Sequence, residues 1–126
     1  MRPASFVETD WMVKELAFIA YSVRDVAAAR VFYRDIVGLT PATEFGDVWV
    51  EFDVGGFTFG IGNGEPLGIP PGSSFSTTFE VDDVAKERDR LLALGVPVSE
   101  LRESPICWMA FVTDPEGNRF GIHQRK

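Results

Sequence analysis

Tyr21-Ser22-Val23-Arg24-Asp25-Val26-Ala27 returns 58 residues later as Phe79-Glu80-Val81-Asp82-Asp83-Val84-Ala85. Each copy ends a run of β-branched and aromatic residues, passes through an aspartate suited to capping a helix, and enters a helical pattern. A second echo follows at nearly the same distance. Gly56-x-x-Phe59-Gly60-Ile61 recurs as Gly117-x-x-Phe120-Gly121-Ile122, 61 residues on. The chain is a tandem duplication, and two copies are too few for a solenoid. They are expected to pair into one body.

Working outward, Leu16 to Val23 reads as a strand, and Asp25 opens a helix over VAAARVFYRDIV with apolar positions at Val26, Ala29, Phe32 or Tyr33, and Ile36. Gly38 closes it as a left-handed stop. Pro41 to Phe45, Val48 to Asp53 and Phe57 to Gly62 read as strands. Asn63 to Gly72, NGEPLGIPPG, carries three glycines and three prolines and is predicted to be a linker, neither helix nor central strand. The pattern then repeats: strand Phe75 to Val81, a helix from Asp83 to Gly95, and strands over Val98 to Arg102, Ile106 to Thr113 and Arg119 to Gln124. Each copy is β-α-β-β-β. The expected fold is α+β: two tandem βαβββ modules, about 14–63 and 73–125, forming a curled, cup-shaped mixed sheet with helices on its outer face. Residues 13–126 form the domain on this reading, with 63–72 as linker and 1–12 as an N-terminal extension.

Composition narrows the function classes. The 126 residues carry a net charge of −7, which argues against nucleic acid or an anionic membrane as partner. The single Cys107 excludes a disulfide framework within the chain and any cysteine-based zinc cluster. No apolar run is long enough for a membrane span, so a cytoplasmic protein is expected. Aromatic residues make up 13% of the chain, and 11 of them are Phe, an unusual supply of apolar wall for a small domain.

Three words sharpen the reading: Ser22-Val23-Arg24-Asp25 between strand and helix, Phe32-Tyr33-Arg34-Asp35-Ile36-Val37-Gly38-Leu39 closing that helix, and Asp114-Pro115-Glu116-Gly117-Asn118-x-Phe120 near the end. In that order and at that distance they resemble the vicinal oxygen chelate superfamily, over about Val13 to Gln124. The superfamily includes glyoxalase I, extradiol dioxygenases and the bleomycin- and fosfomycin-resistance proteins. Such a fold hosts isomerases, dioxygenases, thiol transferases and plain binding proteins, so it does not fix the function.

The resemblance also implies where a metal would be held: His, Glu or Gln on four strands facing into the cup. Those positions fall here on Phe18, Gly60, Ser76 and Gly121. Phe and Gly have no lone pair to offer, and Ser alone is a poor ligand. The only histidine, His123, lies two residues past Gly121 and has no second ligand by motif. No metal and no cofactor are therefore expected.

Period-2 alternation names the cup face. Phe18, Ala20 and Ser22 share one face of the first strand, with Ile19, Tyr21 and Val23 under the helices; Ser76, Thr78 and Glu80 are their counterparts. If Asp114-Pro115-Glu116-Gly117 is a type I turn with Gly117 left-handed, Phe111 pairs with Gly121 and Met109 and Phe111 face in. A tight two-residue turn would choose Ala110 and Val112. The family resemblance favours the first, because extradiol dioxygenases carry a catalytic Tyr where Phe111 falls. Trp49 and Glu51 face in if Val54-Gly55 is a two-residue turn.

The expected site is thus an apolar cup walled by Phe18, Trp49, Met109 and Phe111, with Gly60 and Gly121 as open floor or as room for the aromatics. Acidic residues (Glu44, Asp47, Glu51, Asp53, Glu100, Glu103) either form a rim that attracts cations or pair with Arg24, Arg102 and Arg119. The expected ligand contacts are Phe18, Ala20, Trp49, Glu51, Gly60, Ser76, Thr78, Met109, Phe111, Gly121 and His123. Metal-independent capture of a small hydrophobic or cationic aromatic molecule, by a homodimer like the bleomycin-resistance proteins, is the leading expectation. A glyoxalase- or dioxygenase-type enzyme, using a divalent metal or a carboxylate or His base, is the alternative.

Overall fold

The computed structural model describes residues 18–67, 69–72, 77–105 and 107–126. The expected Ser76 contact and the N-terminal extension lie outside them. The first module runs β1 (Ile19–Ser22), α1 (Val26–Val31), β2 (Thr40–Phe45), β3 (Trp49–Val54) and β4 (Phe57–Gly62). The second runs β5 (Thr78–Glu80), α2 (Val84–Ala93), β6 (Arg102–Glu103), β7 (Cys107–Thr113) and β8 (Arg119–Arg125). Strand orders are β1-β4-β3-β2 and β5-β8-β7-β6. In each sheet the first strand lies parallel to the last while the others pair antiparallel. This is the α+β duplication expected, with the mixed sheet laid out as two four-stranded halves.

Local chemistry sets the elements. Asp25 and Asp83 cap their helices by accepting from the backbone N–H of Ala28 and Lys86, each three residues on. After Val31 the first helix widens into a π-helical turn over Phe32–Val37, ended by Gly38 in the left-handed region. This segment buries both Phe32 and Tyr33. Gly55-Gly56 form the β3–β4 turn, with Val54 opposite Phe57. The turn therefore sits one residue later than Val54-Gly55. That moves the register by two, so Trp49 and Glu51 stay on the expected face. At the other hairpin Gly117 is left-handed and Phe111 pairs with Gly121, as the type I reading requires. Two segments differ from expectation. The linker contains a short 3-10 turn, Glu65–Leu67, and the strand expected over Val98 to Arg102 reduces to one bridge, Val98 to Val112, plus β6.

One core serves both modules. Tyr21, Phe52, Phe59 and Ile61 of the first sheet are buried together with Val84, Val112, Phe120 and Ile122 of the second. The rings meet across the seam: Phe59 lies 5.6 Å from Phe79, and Tyr33 lies 5.9 Å from Phe120. Burying side chains of this size contributes about 1.5–3 kcal/mol each before entropy is charged against it. Polar bonds tie the same seam. Tyr33 donates to Asp114 at 2.9 Å, Tyr21 donates to the Arg119 carbonyl at 2.7 Å, and Asn118 Nδ2 donates to the Ser22 carbonyl at 2.8 Å. Burial, and then the neighbouring Asp114 carboxylate, push the Tyr33 hydroxyl far above its ordinary range. Because the sheets meet through their core faces, their other faces point away from each other. Among the described residues, no helix is long and apolar enough to cross a membrane.

Candidate functional site

The face of the first sheet turned away from the core holds Ala20, Glu51, Gly60 and Gly62. Glu51 and Ala20 flank Gly60 in register, and Trp49 stands opposite Gly62. The Trp49 ring lies across both glycines. A Cβ at Gly60 would fall 2.5 Å from Trp49 Cη2, and one at Gly62 would fall 2.6 Å from Cε3. The floor anticipated at Gly60 is therefore covered by indole, and the glycine is there to admit the ring. Phe18 meets Trp49 edge to face at 5.1 Å and is 49% exposed. Trp49 Nε1 donates to Glu51 Oε2 at 2.7 Å, which fixes the plane of the ring. Beside it opens a pocket of about 300 Å³ lined by Phe18, Ala20, Trp49, Gly62 and, from the linker, Ile69. Ser22 closes one end. Its hydroxyl donates to the Ile69 carbonyl at 2.7 Å and accepts from the Gly64 N–H at 3.0 Å, so its polar capacity is spent on holding the linker.

The matching face of the second sheet gathers Thr78, Met109, Phe111, Gly121 and His123. Gly121 lies between Thr78 and Phe111, and His123 lies between Glu80 and Met109. Here the glycine is covered by a flexible group: a Cβ at Gly121 would fall 2.8 Å from Met109 Cε and 3.0 Å from Thr78 Oγ1. The Arg119 guanidinium sits 5.1 Å over the Phe111 ring. Glu80 Oε1 lies 2.5 Å from His123 Nδ1, while Oε2 accepts from the Arg125 N–H at 2.8 Å. The His123 contact, then the Arg125 amide, hold the Glu80 carboxyl below its usual range. An ionised Glu80 can only accept, so Nδ1 carries the shared proton.

The expected contact residues thus fall into two groups that one chain does not join. Phe18, Ala20, Trp49, Glu51 and Gly60 share the first face; Thr78, Met109, Phe111, Gly121 and His123 share the second. The acids are less free than a cation-attracting rim would need. Glu44 is bound by Arg30, which lowers its pKa, and Glu103 by Lys126 at 2.5 Å. Neither partner is among the three arginines the sequence suggested. Sequence reasoning also missed Ile69 as lining, having treated the linker as a connection, and did not pair Glu80 with His123. Alternation placed both on the inward face, and that was the available signal.

The side chains do not fit a family-type metal. Of the four positions, Phe18, Gly60 and Gly121 offer no ligand atom, and among the described residues no three His, Cys, Asp or Glu side chains converge.

Known proteins place this geometry. The chain is similar to TnmS3, an antibiotic binding protein from Streptomyces sp. CB03234, at 26% identity and a TM-score of 0.80, over 92% of this chain and 99% of that one. It is similar to a glyoxalase/bleomycin resistance protein from the same organism at 27% identity and a TM-score of 0.74, over 87% of this chain and all of that one. The lactoylglutathione lyase of Agrobacterium tumefaciens shares the fold at 23% identity and a TM-score of 0.73, over 89% of this chain and 94% of that one. No curated protein matches the sequence. The family match extends over residues 15–122, through both modules from ahead of β1 into β8, and the chain belongs to the Glyoxalase/Bleomycin resistance protein/Dioxygenase superfamily.

Proposed function

We propose that the protein binds a small hydrophobic or cationic aromatic molecule on the Trp49 face, without a metal. The observation that carries this reading is the Trp49 ring, held flat over Gly60 and Gly62 by Glu51 and flanked by the exposed edge of Phe18. An indole face fixed beside an open apolar pocket is a ready stacking partner, and an organic cation gains further from its quadrupole. Similarity to an antibiotic-binding protein at 26% identity supports the reading. A glyoxalase- or dioxygenase-type metal reaction is disfavoured by the side chains at 18, 60 and 121.

The homodimer belongs to the same proposal. Each outward face is one wall of a cup, and a second copy supplies the wall that a single chain turns the other way. The test is a titration of the full chain with an N-methylquinolinium salt and with naphthalene, read by tryptophan fluorescence and by sedimentation. Quenching that survives EDTA, in a dimer, and weakens about 10-fold in Trp49→Ala is the expected result. No binding of either probe, or binding abolished by EDTA, overturns the reading.

A further inference from the structure

The second face carries a polar device that simple apolar capture does not use. His123 Nδ1 is engaged by Glu80 at 2.5 Å, and Glu80 is itself held by the Arg125 amide at 2.8 Å, so the imidazole has a fixed plane and a fixed tautomer. A neutral ring with its proton on Nδ1 presents a lone pair at Nε2. The ring is a quarter exposed, on the same face as Met109, Phe111 and Gly121. We propose that His123 Nε2 is the hydrogen-bond acceptor of the cup, and that it selects aromatic ligands bearing an O–H or N–H donor, with Glu80 as its positioning residue. This rests on the cup being the ligand site, and it narrows the ligand from any flat apolar molecule to a phenol-like one.

Sharing the face are Glu80 on β5, Arg119 and Arg125 on β8, Arg102 on β6 and Cys107 on β7. The guanidiniums can only donate, both Glu80 oxygens are engaged, and Cys107 Sγ is engaged by Ser104 Oγ at 3.3 Å. An O–H or N–H on a ligand therefore finds its acceptor at Nε2.

The experiment compares 2-naphthol with 2-methoxynaphthalene by calorimetry on the full chain. One neutral hydrogen bond predicts about a 3- to 10-fold preference for naphthol. His123→Phe removes the preference while both probes still bind. Glu80→Gln, which no longer dictates the tautomer, reduces the preference while the affinity for methoxynaphthalene is unchanged. Equal binding of both probes overturns this assignment and leaves the Trp49 reading standing. Failure of both probes to bind overturns the cup reading, and this inference with it.

Discussion

Tyr33 and Trp49 are both large aromatic side chains with one polar atom, and the molecule uses them in opposite ways. Tyr33 is fully buried at the seam between modules, its hydroxyl on a carboxylate that is itself buried. Trp49 lies on an outward face, its N–H on a partly buried glutamate and its ring over two glycines. The Tyr33, Asp114 and Asn118 side chains at the seam are paired, since a polar atom there without a partner is stranded away from water; Thr77 Oγ1, beside Tyr21, is the buried exception. The faces are less saturated, with apolar rings beside solvent and, among the described residues, no hydrogen bond at His123 Nε2. A fold built this way can hold its seam constant while the outward faces vary.

If that contrast is right, the largest loss comes from the seam. Asp114 accepts from the Tyr33 hydroxyl, from the Glu116 and Asn118 amides at 2.8 and 2.9 Å, and from Asn118 Nδ2 at 3.3 Å. Asp114→Ala leaves several buried donors without an acceptor and is expected to cost about 3 kcal/mol or more in urea unfolding. A loss below about 1 kcal/mol would mean that the seam tolerates vacancy as the faces do.

The next effects compare the two faces. At Gly60 an added methyl meets the rigid indole at 2.5 Å, whereas at Gly121 it meets the mobile end of Met109 at 2.8 Å. Gly60→Ala is expected to cost about 1–3 kcal/mol and to change the near-ultraviolet circular dichroism of Trp49. Gly121→Ala should cost less than Gly60→Ala, because Met109 turns aside cheaply and only the Thr78 side chain, at 3.0 Å, has to give. Equal costs would erase the distinction between a rigid stacking floor and a pliable one.

The seam was readable in the sequence because its words are chemically particular. Phe32-Tyr33 and Asp114 to Asn118, the segments that carried the family resemblance, touch each other across the modules. The Phe111–Gly121 register was readable too, since a glycine after Asp-Pro-Glu permits the left-handed residue that sets it. The faces were readable only as alternation. Whether Gly60 is open floor or room for a ring depends on a χ angle of Trp49, which no spacing encodes. Glu80 and His123 lie far apart in the chain and meet because β5 runs parallel to β8, a pairing that depends on the whole module. Ile69 lines the pocket because Ser22 holds the linker back, a tertiary bond that leaves no periodic trace.

The smallest effect tests whether the second face is polar by design. Glu80 titrates below its unfolded value, so its contribution to stability is present above the unfolded pKa and disappears as pH falls through the folded one. His123 is the larger cause and the Arg125 amide the lesser. In His123→Ala the Glu80 carboxyl, followed by its carbon resonance in NMR, should titrate higher, closer to the ordinary 4.5 yet still short of it because the amide remains. Glu80 is exposed and solvent screens the pair, so the midpoint should move with little change in unfolding at neutral pH. An unmoved midpoint would mean that the ring does not rest on Glu80 in solution, and the second face would then hold only a loose histidine beside a methionine.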